Sequence, residues 1–173
     1  MQKTVSSELV YEGRIFEITR DEVEIHNRTY LRDVLHHNGG VGVLAIRTHK
    51  ILFVKQYRYA IGRDTLEIPA GKLEKYENPY TCGLRELEEE TGYTSEKLEV
   101  LCSLYSTPGF CNEKIHLFYT DKLSKVENPA PMDEDEDIEL LWIDIDKAYD
   151  MVKNHEIEDA KTIIAIQFAK LNF

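Results

Sequence analysis

The residues predict an α/β protein, and three observations carry that prediction. Runs rich in β-branched and aromatic residues, separated by turn signals, recur along the chain. Two stretches near the C-terminus keep helical spacing of apolar residues. Between them and the early strands, GKLEKYENPYTCGLRELEEETGY, from Gly71 to Tyr93, reads as strand, loop and capped helix in succession.

In chain order, residues 10–18 and 23–25 read as strands, His26-Asn27-Arg28 as a turn, and 29–35 as the returning strand. Gly39-Gly40 breaks the chain. Residues 41–47 and 51–57 form an expected hairpin around His49-Lys50. Residues 98–105, 114–120 and 138–143 are further strands, and 146–154 a helix. In the last helix, 159–171, Ala160, Ile163, Ile164, Gln167, Phe168 and Leu171 keep one face, expected to pack on the sheet. No repeat or low-complexity linker interrupts this order.

The central helix has the clearest ends. Asn78 suits the N-cap and Pro79 the first helical position, where a missing N–H costs nothing. Gly92 suits the left-handed C-terminal cap. At about 100° per residue, Tyr80, Leu84, Leu87 and Thr91 share one side, and Arg85, Glu86, Glu89 and Glu90 the other. Glu86 and Glu90, four apart, project side by side, and a cation between them relieves their repulsion. Carboxylate oxygens suit Mg²⁺ or Mn²⁺. An isolated pair of this kind is more often a solvated acidic face, so the surrounding pattern decides.

That pattern resembles the Nudix hydrolase signature. Gly71 is followed after five residues by Glu77, and after seven more by Arg85-Glu86-Leu87-Glu88-Glu89-Glu90-Thr91-Gly92-Tyr93. Every fixed position matches, and the departure is Tyr93, where the family usually carries an aliphatic residue. The resemblance implies an α/β/α sandwich around a mixed sheet and hydrolysis of nucleoside diphosphates linked to another moiety. It implies Glu86 and Glu90 as direct metal ligands, Glu89 as a third carboxylate at the metal, and the Ala70 carbonyl as a further ligand. It also implies a Glu77–Arg85 salt bridge bracing the loop.

Three features outside the signature resemble ADP-ribose pyrophosphatases of this family. Pro108 follows Gly92 by sixteen residues, within Ser106-Thr107-Pro108-Gly109-Phe110. Residues 1–38 resemble a small N-terminal antiparallel β domain used for dimerisation and for completing the nucleotide pocket, leaving 39–173 as the hydrolase domain. The acidic stretch 132–139 resembles a late catalytic loop, with Glu134 or Glu136 as general base and Glu136 near the metals. It is not an EF-hand, because Ile138 stands where that loop needs glycine. By the same resemblance Arg32 faces the adenine side, Arg58 the phosphates, Glu67 the ligand, and Phe16 stacks on adenine, with Pro108 and Gly109 lining the substrate.

Composition agrees with a compact enzyme. The 173 residues can bury a substantial core, and the formal charge of −11 repels nucleic acid. Three cysteines without CxxC pairing, no secretion-signal pattern and no membrane-length apolar run predict a reducing, cytoplasmic setting. The expected activity is Mg²⁺-dependent hydrolysis of ADP-ribose to AMP and ribose 5-phosphate by a homodimer, with Mn²⁺ as an alternative ion. The alternatives are another nucleotide diphosphate sugar as substrate and a non-catalytic ADP-ribose sensor.

Overall fold

The computed structural model describes residues 2–131 and 137–173. The chain divides into two units, one running up to Gly39 together with Leu104–Ile115, the other comprising Gly40–Ser103 and His116–Phe173.

The first unit is built on an antiparallel sheet of β1 (Lys3–Glu12), β2 (Phe16–Ile25) and β3 (Arg28–His37). The expected strand over 10–18 is divided by a turn: the Gly13 N–H donates to the Phe16 carbonyl at 3.0 Å. Periodicity missed this because Tyr11, Ile15 and Phe16 keep the run apolar through the reversal. The β2–β3 turn falls where expected. His26 and Asn27 both have positive φ, 50° and 60°, which matches the right-handed twist of a two-residue hairpin. Leu104–Ile115 joins β3 through the bridge of Cys111 with Leu35 and the 2.7 Å bond from Leu35 N–H to the Phe110 carbonyl.

The second unit centres on a seven-stranded sheet. Its elements are β4 (Gly40–Arg47), β5 (Lys50–Arg58), β6 (Arg63–Glu67), β7 (Ala70–Lys72), α1 (Pro79–Thr91), β8 (Tyr93–Ser95), β9 (Glu99–Tyr105), β10 (Lys114–Thr120), β11 (Leu123–Lys125), β12 (Glu139–Asp144), α2 (Ile145–Lys153) and α3 (Ala160–Asn172). The strand order is β12-β5-β4-β10-β9, with β6 on β5 and β7 on β4. The hairpin turn is Thr48-His49, both at positive φ, rather than His49-Lys50.

β4 shows why the sheet is a middle layer. Val41, Val43 and Ala45 pack with Cys82 and Leu87 of α1, while the alternate positions Leu44 and Ile46 are equally buried. A strand covered on both faces reads as a continuous apolar run. On the second face Gly42 leaves room for Ile68 and Leu117; a Cβ there would lie 2.9 Å from each. Ile68 in turn bonds to Thr162 of α3 at 3.0 Å, which places α3 on that face.

α3 begins as expected but buries a different face. Asp159 caps it, accepting from Thr162 N–H, and Thr162, Ala165, Ile166 and Ala169 are the buried residues. The expected stripe ending in Leu171 is not the packed one, since Leu171 is 84% exposed. The helix is apolar on nearly all sides, so spacing alone could not choose, and the alanines allow the close approach that larger residues would prevent. α1 starts and stops as read: Asn78 accepts from Tyr80 N–H at 2.8 Å, and Gly92, at φ 69°, donates to the Glu88 carbonyl. Tyr93 packs its ring edge-on to Trp142 at 6.0 Å, which accommodates its departure from the signature.

Candidate active site

α1 and β7 meet through the signature glycine. An added Cβ at Gly71 would lie 1.9–2.3 Å from the Glu86 carboxylate, so only glycine lets that carboxylate rest against the strand. One turn further along α1, Glu90 is 3% exposed and accepts from Ala70 N–H at 2.9 Å. Glu86, Glu90 and the Ala70 backbone are thus held together at one end of β7.

Arg85 organises the remaining carboxylates. Its Nε and Nη2 donate to the two oxygens of Glu77 at 3.1 and 3.2 Å, forming the expected brace. Its Nη1 lies 2.8 Å from both Glu86 and Glu89. One guanidinium therefore offsets part of the repulsion in a group of three adjacent acids, and the α1 surface keeps a net negative charge. Hard oxygen donors of this kind, with a strand backbone alongside, fit a divalent cation. Cys82 belongs to the packing instead: it is fully buried, and burial pushes its thiol up to about 12.

Glu67 and Arg58 lie one strand away and pair with each other. Arg58 Nε and Nη2 each donate at 2.7 Å to an oxygen of Glu67, Thr65 Oγ1 donates at 2.6 Å, and Lys161 reaches the same carboxylate from α3. Burial alone would raise the Glu67 pKa, but Arg58, Lys161 and Thr65 outweigh it and hold it at about 2. Glu67 thus loses its stabilising charge only in acid. A carboxyl titrating near 4.5 unfolded and near 2 folded contributes about 3 kcal/mol that is full above 4.5 and lost as pH falls toward 2. We expect the unfolding midpoint to drop across that window, and Glu67→Gln to flatten the drop; equal acid sensitivity in both proteins would contradict this.

The segment 67–71 is pinned along its length. Glu67 is held as above, Ile68 N–H by Thr162, the Pro69 carbonyl by Val43 N–H at 2.8 Å, and Ala70 N–H by Glu90. Sequence reasoning did not single out Lys161 or Thr162, because their partners Glu67 and Ile68 lie 94 residues away, nor Thr65, which bonds to Glu67 two residues on. It also passed over Glu88, a variable position of the signature, which accepts from Ala130 N–H at 3.3 Å.

The other sequence-derived residues fall elsewhere. Phe16 opens β2, its ring tilted 5.6 Å from Tyr11. Arg32 lies over the Tyr30 ring at 5.8 Å and donates to the Leu31 carbonyl. Pro108 and Gly109 occupy a turn in which Cys111 N–H donates to the Thr107 carbonyl at 3.1 Å. These four belong to the first unit, and Arg58, Glu67, Ala70, Glu86, Glu89 and Glu90 to the second. Glu134 and Glu136 lie outside the described residues. A separate grouping, His49, Asp144 and Asp146, has a structural explanation: Asp144 caps α2, and Asp146 pairs with Lys170.

The carboxylate-bearing helix α1 is thus locked against a glycine strand, on a sheet that packs on helices. The NUDIX domain profile matches residues 36–166. A methanol dehydrogenase activator of Bacillus methanolicus is 45% identical over 98% of this chain and 93% of its own length. An ADP-ribose pyrophosphatase of Bacillus subtilis is 41% identical over the same shares. A GDP-mannose pyrophosphatase of Escherichia coli is 32% identical over 91% of this chain and 85% of its own. The fold matches a solved ADP compounds hydrolase at a TM-score of 0.87, covering 98% of this chain and 92% of that one at 18% identity. The chain belongs to the Nudix family and is a Nudix hydrolase. None of its described helices is long and apolar enough to cross a membrane.

Proposed function

We propose that this chain hydrolyses the pyrophosphate bond of ADP-ribose, giving AMP and ribose 5-phosphate. The observation that carries the proposal is the assembled signature, Glu86 and Glu90 locked on Gly71 and Ala70, in a chain resembling an ADP-ribose pyrophosphatase over nearly its whole length. Glu86, Glu89, Glu90 and the Ala70 carbonyl would hold Mg²⁺, or Mn²⁺ in its place, and Glu136 would join them. When bound, such an ion neutralises charge on phosphoryl oxygens and makes a water more acidic.

The chain's own groups do the rest. Arg58 binds a phosphate, a task suited to a guanidinium's paired donors. Arg32 and Phe16 hold the adenine side, and Pro108 and Gly109 line the substrate. Glu134 or Glu136 accepts the proton of the attacking water. The water oxygen bonds to one phosphorus as the bond from that phosphorus to the bridging oxygen breaks.

The protein would act in the cytoplasm as a homodimer through residues 1–38, whose β1 is exposed throughout and includes Val5, Leu9 and Tyr11. The rest of the chain, 39–173, would be the hydrolase domain. Incubation with Mg²⁺ and ADP-ribose should yield AMP and ribose 5-phosphate by chromatography; intact ADP-ribose would refute the reading. The Bacillus methanolicus relative favours a second reading, in which this chain activates a dehydrogenase. A faster methanol dehydrogenase rate on adding the protein, with ADP-ribose left intact, would select that reading.

A further inference from the structure

Glu67 is shared by two cations with unequal access to solvent. The Arg58 side chain is 41% exposed, whereas that of Lys161 is 11% exposed. Lys161 is fixed from behind: its Nζ also donates to Asp159 Oδ2 at 3.0 Å, and the same oxygen accepts from Thr162 N–H at 3.0 Å and Thr162 Oγ1 at 2.6 Å. We propose that Lys161 is a positioning residue for substrate binding, keeping buried Glu67 neutralised so that Arg58 can leave it and take up a phosphate.

The reason is the cost of an orphaned buried charge. Removing one partner of a buried ion pair is strongly destabilising, because the remaining charge has lost both water and its counter-ion. If Arg58 were the sole cation on Glu67, turning to a substrate would create that situation. With Lys161 in place, Arg58 exchanges one anion for another while Glu67 keeps a charge partner and the Thr65 hydroxyl. The inference rests on the proposed contact of Arg58 with phosphate.

The test compares kcat and KM for ADP-ribose in the wild type, Lys161→Met, Lys161→Arg, the double variant Lys161→Met/Glu67→Gln, and Arg58→Ala, with folding checked by thermal melting. We expect Lys161→Met to raise KM about tenfold and lower kcat less than about threefold, since the effect falls on binding. Lys161→Arg should restore KM, and so should Glu67→Gln added to Lys161→Met, because a neutral amide no longer detains Arg58. A purely structural role would instead lower the melting temperature of Lys161→Met and leave its KM unchanged. Unchanged KM in folded Lys161→Met, or no recovery in the double variant, overturns the inference while a raised KM in Arg58→Ala upholds the contact. Unchanged KM in Arg58→Ala overturns both. If the wild type leaves ADP-ribose intact, the substrate reading fails separately, and the same variants are compared by calorimetric binding of inorganic pyrophosphate. A Lys161→Met affinity equal to wild type then overturns the inference.

Discussion

Replacing Glu90 by glutamine lowers kcat by about a thousandfold, equivalent to about 4 kcal/mol in the barrier, and leaves the protein folded. The two halves of this expectation come from the two oxygens. One accepts from Ala70 N–H, and a glutamine carbonyl can accept the same bond. The change keeps side-chain volume at a site only 3% exposed, so no cavity forms. What disappears is the negative charge, which the signature places beside Glu86 and which a divalent ion needs. Affinity for Mg²⁺ should fall in parallel, read by titrating activity against the ion. A folded Glu90→Gln protein with near-normal kcat would remove Glu90 from the metal set.

Gly71→Ala lowers kcat by about a hundredfold, about 3 kcal/mol in the barrier, with little change in melting temperature. Gly71 is not among the glycines at positive φ, so alanine meets no backbone strain there. Its Cβ would instead lie within 1.9–2.3 Å of the Glu86 carboxylate atoms. The carboxylate is the far end of a flexible side chain and can swing away, so the fold should survive while the site loses its geometry. Loss of activity through unfolding, seen as a large drop in melting temperature, would instead make Gly71 a structural residue. Full activity in a folded variant would mean that Glu86 need not rest on the strand.

The parts of the fold that could be read from the residues are those set by local chemistry. Asn78, Pro79 and Gly92 mark the ends of α1 because capping depends on neighbours within four residues. The β2–β3 reversal is local in the same way. The division of the expected strand 10–18 at Gly13, and the packed face of α3, depend on which apolar residue meets which partner, and there spacing gives no preference. In the site, the clustering of Glu86 with Glu90 follows from helical geometry, whereas the Glu77–Arg85 brace is legible only through the resemblance to the signature. The Glu67, Lys161 and Thr162 network is legible through neither, because its partners at the end of β6 and on α3 are 94 residues apart in the chain.

The pairing of Arg58 with Glu67 also changes how both residues are viewed. The sequence points each toward a ligand, and the structure joins the two by two 2.7 Å bonds. The pair holds a part-exposed guanidinium at the end of β6, three residues before Ala70 in the chain. Relatives named for ADP-ribose and for GDP-mannose both align along most of the chain.

The most direct test is the ratio of kcat/KM for ADP-ribose to that for GDP-mannose, measured with purified protein and saturating Mg²⁺. The account predicts a ratio well above one, with AMP and ribose 5-phosphate as the products. A ratio below one would keep the hydrolytic chemistry and contradict ADP-ribose as the substrate.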